Sequence, residues 1–206
     1  MQSYIPLYID RIQQTTNSAI NCHQRLACFF VTLRYPQEGI SRDDSKSISR
    51  FFDALKYHIN AYIDYKRLSD IRVHPTKLYY IWAREFGTKN GHKHYHIVLM
   101  LNKDTFHTFG NYSYSSDKPG SLLNLIQKAW CCAIELPPEI NHNLASTPDK
   151  RPCMWIENND PDQRIAAEGR MFYLAKEFSK QSGDGERSFG CSQSNSSWLN
   201  GRKTRA

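Results

Sequence analysis

An unbroken run of apolar, aromatic and β-branched residues, Ala27-Cys28-Phe29-Phe30-Val31-Thr32-Leu33-Arg34, stops just before Pro36 and predicts the first strand. Arg42-Asp43-Asp44-Ser45 supplies helix-start chemistry. Ile48, Phe51, Phe52, Leu55, Ile59, Tyr62 and Ile63 then recur at helical spacing, predicting a long amphipathic helix that runs to Leu68 or so. Two further strands are expected over Leu78–Phe86 and His94–Leu101, joined through Thr88-Lys89-Asn90-Gly91, whose Asn-Gly pair signals a hairpin turn. Pro119-Gly120 and Pro137-Pro138 bracket a second helix, Ser121 to Ile134. Cys153–Ile156 reads as a short fourth strand, and Pro161 opens a third helix expected from Asp162 to Lys180.

The order strand, helix, strand, strand, helix, strand, helix implies an α+β fold: a central, mainly antiparallel sheet with helices packed on it. Residues 1–24 read as an N-terminal extension, polar and weakly helical. Residues 25–180 read as the folded domain, and residues 181–206, where Ser, Gly, Asn and charge dominate, as a loose basic tail. No internal repeat is visible.

A length of 206 residues suits one domain able to bury a core without disulfides or structural metal. The formal charge of +7 points to a polyanionic partner, nucleic acid before membrane. No stretch approaches the ~18 consecutive apolar residues of a membrane span. Met1–Pro6 lacks a basic region followed by an apolar run, so no export signal is expected there. Cys22, Cys28, Cys131, Cys132, Cys153 and Cys191 show no CxxC spacing, which weighs against a zinc site, and reduced thiols in the cytoplasm are the expectation.

Candidate chemistry begins at His94-Tyr95-His96, at the head of the run Ile97–Leu101. On a strand, residues two apart share a face, so both imidazoles project together, as two ligands of one ion must. If the hairpin closes with Phe86 opposite Lys93, then Glu85 faces His94 and Ala83 faces His96, and Glu85, His94 and His96 form a compact cluster. A carboxylate with two imidazoles suits a divalent cation with open positions, Mg²⁺ or Mn²⁺ for phosphodiester chemistry, with Zn²⁺ left open. His92 has the same parity and is a rival ligand, placed second because it lies nearer the turn. A register slip of one residue would send Glu85 to the other face.

The third helix carries Met171, Leu174, Ala175 and Phe178 on an apolar stripe, with Tyr173, Lys176, Glu177 and Lys180 on the opposite side. Tyr173 and Lys176, three apart, are neighbours. A phenol with an ordinary pKa of ~10 is a poor nucleophile at neutral pH; a nearby ammonium or metal ion favours the phenolate and activates it.

Taken together, His94-Tyr95-His96 ahead of an apolar strand, Glu85 on the strand before it, Phe29–Leu33, and Tyr173-Leu174-Ala175-Lys176 resemble the HUH endonuclease superfamily. With Ser188-Phe189-Gly190-Cys191-Ser192, the chain is similar over residues 25–192 to the inovirus-type replication-protein family of filamentous phages and prophages. That family is also called the YagK/YfjJ C-terminal domain family. The resemblance implies a sheet of the ferredoxin/RRM-like palm type, His94, His96 and Glu85 as metal ligands, Tyr173 as nucleophile and Lys176 as its helper. It also implies site-specific nicking and rejoining of single-stranded DNA through a 5′-phosphotyrosine. The DNA would be a hairpin-associated replication origin in a bacterial host cell, served by a host helicase and polymerase. The sequence departs from the pattern at Tyr95, where an aliphatic residue is usual, and has a single tyrosine at the helical motif, which suggests the single-tyrosine type. There is no GxxxxGK[ST] segment, so a helicase would come from elsewhere.

Tyr79, Tyr80, Trp82, Tyr112 and Tyr114 are candidate base-stacking residues, with core packing the expectation for most of them. Lys118, Lys128, Lys150, Arg151 and Arg202-Lys203-Thr204-Arg205 are candidate phosphate contacts. Three rival readings use the same residues differently: a non-catalytic nucleic-acid-binding regulator on this fold, a zinc protein built on His92, His94, His96 and cysteines, and a host-interaction protein with an incidental HxH.

Overall fold

The computed structural model describes residues 3–38, 41–87, 91–114, 120–177 and 184–193. The elements run α1 (Pro6–Cys22), β1 (Arg25–Arg34), α2 (Ser47–Leu68), β2 (Tyr79–Phe86), β3 (Lys93–Asn102), α3 (Leu122–Ile134), α4 (Pro138–Asn141), β4 (Ala145–Ser146), β5 (Cys153–Glu157), α5 (Pro161–Met171) and β6 (Phe189–Cys191). The sheet has the order β4-β1-β3-β2-β6, with β5 pairing the first half of β1 along the same edge as β4, and every strand pair is antiparallel. The chain therefore has the α+β architecture that its pattern of strands and helices implies.

Helices cover both faces. Phe51, Phe52, Leu55 and Ile59 of α2 and Leu125, Ile126, Ala129 and Trp130 of α3 pack on Phe29, Val31, Leu33, Tyr95, Ile97 and Leu99. On the other face, Ile12, Ala19 and Ile20 of α1 and Ala167 and Met171 of α5 pack on Leu26, Cys28, Phe30, Ile81, Val98 and Met100. Two covered faces explain why β1 and β3 read as continuous apolar runs rather than alternating ones. Among the described residues, no helix is long and apolar enough to cross a membrane.

The structure corrects three sequence expectations. First, residues 6–22 are not merely a lead-in: α1 lies on the sheet and buries Ile12, Thr16, Ala19 and Ile20. The threonines hide this amphipathic face in the sequence. Buried Thr16 satisfies its hydroxyl on the Ile12 carbonyl (3.0 Å), and Thr15 does so on that of Arg11 (2.8 Å).

Second, the third helix is shorter than its periodicity predicts. The α-helix ends at Met171, Phe172–Ala175 make one 3-10 turn, and Lys176 is extended, while Phe178, Ser179 and Lys180 lie outside the described residues. The cause is a competing partner for the backbone. The Ile5 amide donates to the Ala175 carbonyl (2.9 Å), the Glu177 amide donates to the Ser3 carbonyl (3.1 Å), and Tyr4 pairs with Lys176 as an antiparallel bridge.

Third, the stretch expected to be a loose tail contains β6, which extends the sheet beyond β2: Ile81 pairs with Cys191, Trp82 with Gly190 and Ala83 with Phe189. Ionic contacts precede it. Buried Arg84 donates to Asp184 (2.8 Å), to the Glu186 carboxylate (3.0 Å) and to the Glu186 carbonyl (3.1 Å), so the acids 100 residues downstream compensate a charge on the central hairpin. Residues 194–206, with the basic Arg202–Arg205 stretch, lie outside the described residues.

Gly190 lies so close to the Trp82 indole that a Cβ would sit 2.6 Å from Nε1. Gly190→Ala is expected to cost about 1–3 kcal/mol through overpacking, read as a lower urea midpoint. The Arg84 guanidinium holds the Asp184 carboxyl down at about 2. A depressed carboxylate contributes stability that is fully present above its unfolded pKa of ~3.9 and lost as pH falls through the folded value. Acid titration of the fold by circular dichroism should therefore show a component between about pH 4 and pH 2 that Asp184→Asn removes.

Candidate functional site

The register of the central hairpin sets the site. Phe86 pairs with Lys93, Glu85 with His94 and Ala83 with His96, as the hairpin turn and alternation predict. On its other side, β3 pairs with β1, placing Thr32 opposite His96 and Arg34 opposite His94. Two rows thus cross the α1/α5 face of the sheet: Arg34, His94 and Glu85 in one, and Thr32, His96 and the buried, apolar Ala83 in the next. Beyond them the same face is apolar, with Phe30, Ile81 and Val98. The site is the polar end of a packed layer.

Glu85, His94 and His96 each offer a ligand atom within 4.8 Å of the others. The imidazoles stand 5.0 Å apart, centroid to centroid, and nearly perpendicular. Nε2 of His96 lies 3.5 Å from the Glu85 carboxylate, which is buried. The Nδ1 of His94 faces the His92 carbonyl at 3.2 Å, so that nitrogen carries the proton and Nε2 holds the lone pair. The Thr32 hydroxyl sits 3.2 Å from Nδ1 of His96 and engages the ring nitrogen on the side away from Glu85. Fixing the outer nitrogen in this way is how metal-binding histidines are oriented. His92, the rival ligand, lies outside the cluster and contributes its carbonyl, which also accepts from the Gly87 amide (3.0 Å).

Tyr173 comes to the same face. Its ring lies 5.9 Å from that of His96, edge to face, and the residue is 45% exposed. Met171, Leu174 and Ala175 are buried, which anchors the turn that presents it. The Lys176 ammonium lies over the Tyr173 ring, 3.7 Å from its centroid. In a 3-10 turn, residues three apart eclipse, so the pair meets although the α-helix has ended. The pKa of Tyr173 is nevertheless raised, by burial first and by the Glu85 carboxylate second. Burial and the Glu85 carboxylate thus disfavour the phenolate, contrary to the activation expected from Lys176.

A cavity of about 450 Å³ opens beside Tyr173 and His96, lined by Tyr4, Phe30, Thr32, Arg170, Leu174 and Lys176 among others. The sequence reading missed Thr32, Arg34, Tyr4 and Arg170. The first two carried a usable signal, since they are polar, two apart and on one face of an otherwise apolar strand. Tyr4 had none, because it reaches the site through a bridge to Lys176. Of the aromatics singled out for stacking, Tyr79 and Trp82 are buried, Tyr80 stacks on Phe52 and Tyr114 on His142, while Tyr112 is exposed. Lys150 and Arg151 are exposed, Lys128 is half-buried and Lys118 lies outside the described residues.

The family model of the YagK/YfjJ C-terminal domain matches residues 1–192. Uncharacterized protein YfjJ of Escherichia coli strain K12 is 30% identical over 203 residues, covering 93% of this chain and 96% of the relative. Uncharacterized protein YagK of the same strain is 30% identical over 198 residues, covering 90% and 92%. No solved structure matches the chain.

The donor set predicts a measurable affinity for Mn²⁺. Glu85→Gln, His94→Ala and His96→Ala should each weaken it strongly in isothermal titration, and His92→Ala should not. Thr32→Val should weaken it about tenfold, as loss of an outer-sphere partner does.

Proposed function

Since the chain belongs to the YagK/YfjJ C-terminal domain family, we propose that it nicks and rejoins single-stranded DNA through a 5′-phosphotyrosine, as a single-tyrosine HUH endonuclease that initiates rolling-circle replication. The observation that carries this reading is the meeting of the Glu85–His94–His96 cluster with Tyr173 on one face, at one end of the sheet. A buried carboxylate and two imidazoles with their outer nitrogens occupied fit a divalent cation, Mg²⁺ or Mn²⁺. When bound there by Glu85, His94 and His96, such an ion would neutralise charge at the scissile phosphate and would favour the phenolate of Tyr173.

The residues of the chain divide the remaining work. Tyr173 attacks phosphorus in line. Its oxygen forms the new P–O bond as the phenolic proton passes to solvent water, the P–O3′ bond breaks, and the 3′ oxygen takes a proton from solvent to leave as a hydroxyl. Lys176 holds a positive charge against the Tyr173 ring, where it offsets the negative charge gathering on the phosphoryl oxygens. Thr32 and the His92 carbonyl keep the imidazoles oriented. The phosphotyrosine conserves the bond energy, so attack by the 3′ hydroxyl reseals the strand without an external energy source. Until then that hydroxyl is a primer for a host polymerase. Strand separation at the origin falls to a host helicase, since the chain has no GxxxxGK[ST] segment.

The test is a covalent adduct with labelled single-stranded oligonucleotides in Mn²⁺, seen on a denaturing gel. Tyr173→Phe should abolish the adduct while leaving DNA binding nearly intact. An adduct that persists in this variant reassigns the nucleophile, and a wild-type protein that binds DNA but never forms one removes the nuclease reading.

A further inference from the structure

The cavity beside Tyr173 contains a preformed cationic platform. The Arg170 guanidinium lies over the Phe30 ring, 4.1 Å from its centroid. Its two terminal nitrogens donate to the carbonyls of Arg151 and Lys150, the latter at 3.1 Å. A guanidinium stacked on one face and tied at its edge is locked in plane, and Arg170 is among the residues that line the cavity. Tyr4 lines the same cavity while 41% exposed, held there because its backbone pairs with Lys176. Arg151, whose carbonyl accepts from Arg170, adopts a left-handed backbone conformation (φ 49°), a strained state for a non-glycine residue that the surrounding structure must sustain.

We propose that this cavity receives an unpaired nucleobase of the bound strand, stacked on Arg170 and flanked by Tyr4. The inference deepens the nuclease reading and rests on it for the identity of the strand. A volume of about 450 Å³ accommodates a nucleotide. Planar cations and aromatic rings are the surfaces on which single-stranded bases stack without regard to sequence. Placement next to Tyr173 and His96 makes the base a neighbour of the scissile phosphate, so the stack would hold the strand in position for attack. Arg170 and Tyr4 are then positioning residues for the substrate.

The experiment compares binding of a short oligo(dT) with binding of a fully abasic oligomer of equal length, by fluorescence anisotropy in EDTA, where no strand is cut. Wild type should prefer the oligomer with bases by about tenfold or more. Arg170→Lys keeps the charge and loses the plane; Tyr4→Ala removes a surface ring with little risk to folding. Both should lose most of the preference while holding their affinity for the abasic oligomer within about twofold, with thermal melts reporting the fold. Preference retained in both variants, or absent in wild type, overturns the proposal. Base preference without any covalent adduct in Mn²⁺ removes the nuclease reading and leaves the stack. Adduct formation without base preference does the reverse.

Discussion

The pairing of β2 with β3 is the constraint from which the rest of the site follows. Side chains on a strand alternate strictly between faces, so each residue of this hairpin is committed to one of two environments. Glu85, His94 and His96 face α1 and α5; Arg84, Lys93 and Tyr95 face the other way. The second set holds the first in register. Arg84 is buried against Asp184 and Glu186, Lys93 pairs with Asp43 and Glu186, and Tyr95 packs against Trp82 and Trp130. A slip of one residue would put charged groups into an apolar layer and break these contacts together. The ionic work behind the sheet and the donor cluster in front of it are two sides of the same strands. Tyr95, between the two histidines, belongs to the packed side and is fully buried there.

On the front face, the surroundings of Tyr173 disfavour its charged form. Burial and then the Glu85 carboxylate raise the pKa of Tyr173, and Lys176 sits over the ring. Protein contacts from three parts of the chain hold the tyrosine turn: buried Met171, Leu174 and Ala175 beneath it, the Ser3–Ile5 segment alongside, and α1 behind.

The sequence made the local parts of this arrangement legible and left the long-range parts hidden. The hairpin, its register and the donor cluster depend on neighbours within a dozen residues, and alternation with an Asn-Gly turn was enough to place them. The end of α5 was not legible, because helical spacing continues through Tyr173 and Lys176 while the backbone there is claimed by residues 3–5. Strand β6 was hidden by its composition: Ser, Gly and charge read as a tail, yet the acids serve Arg84 and the glycine is needed to clear Trp82. Helix α1 was obscured by threonines that bond to their own helix. In each case the deciding partner lies far away in sequence, where no local pattern reports it.

The stacking of Phe189 on Tyr8, 4.2 Å apart and nearly parallel, ties the last strand of the sheet to the first helix. On the ribosome, α1, β2 and the tyrosine turn all emerge before the segment that braces them. The contacts around Asp184, Glu186 and Phe189 are completed only when nearly the entire described chain has been made. A nascent chain would carry the donor hairpin early and lack its bracing until residues 184–191 have also been made, so the cluster is held in register only after that later segment has joined the sheet.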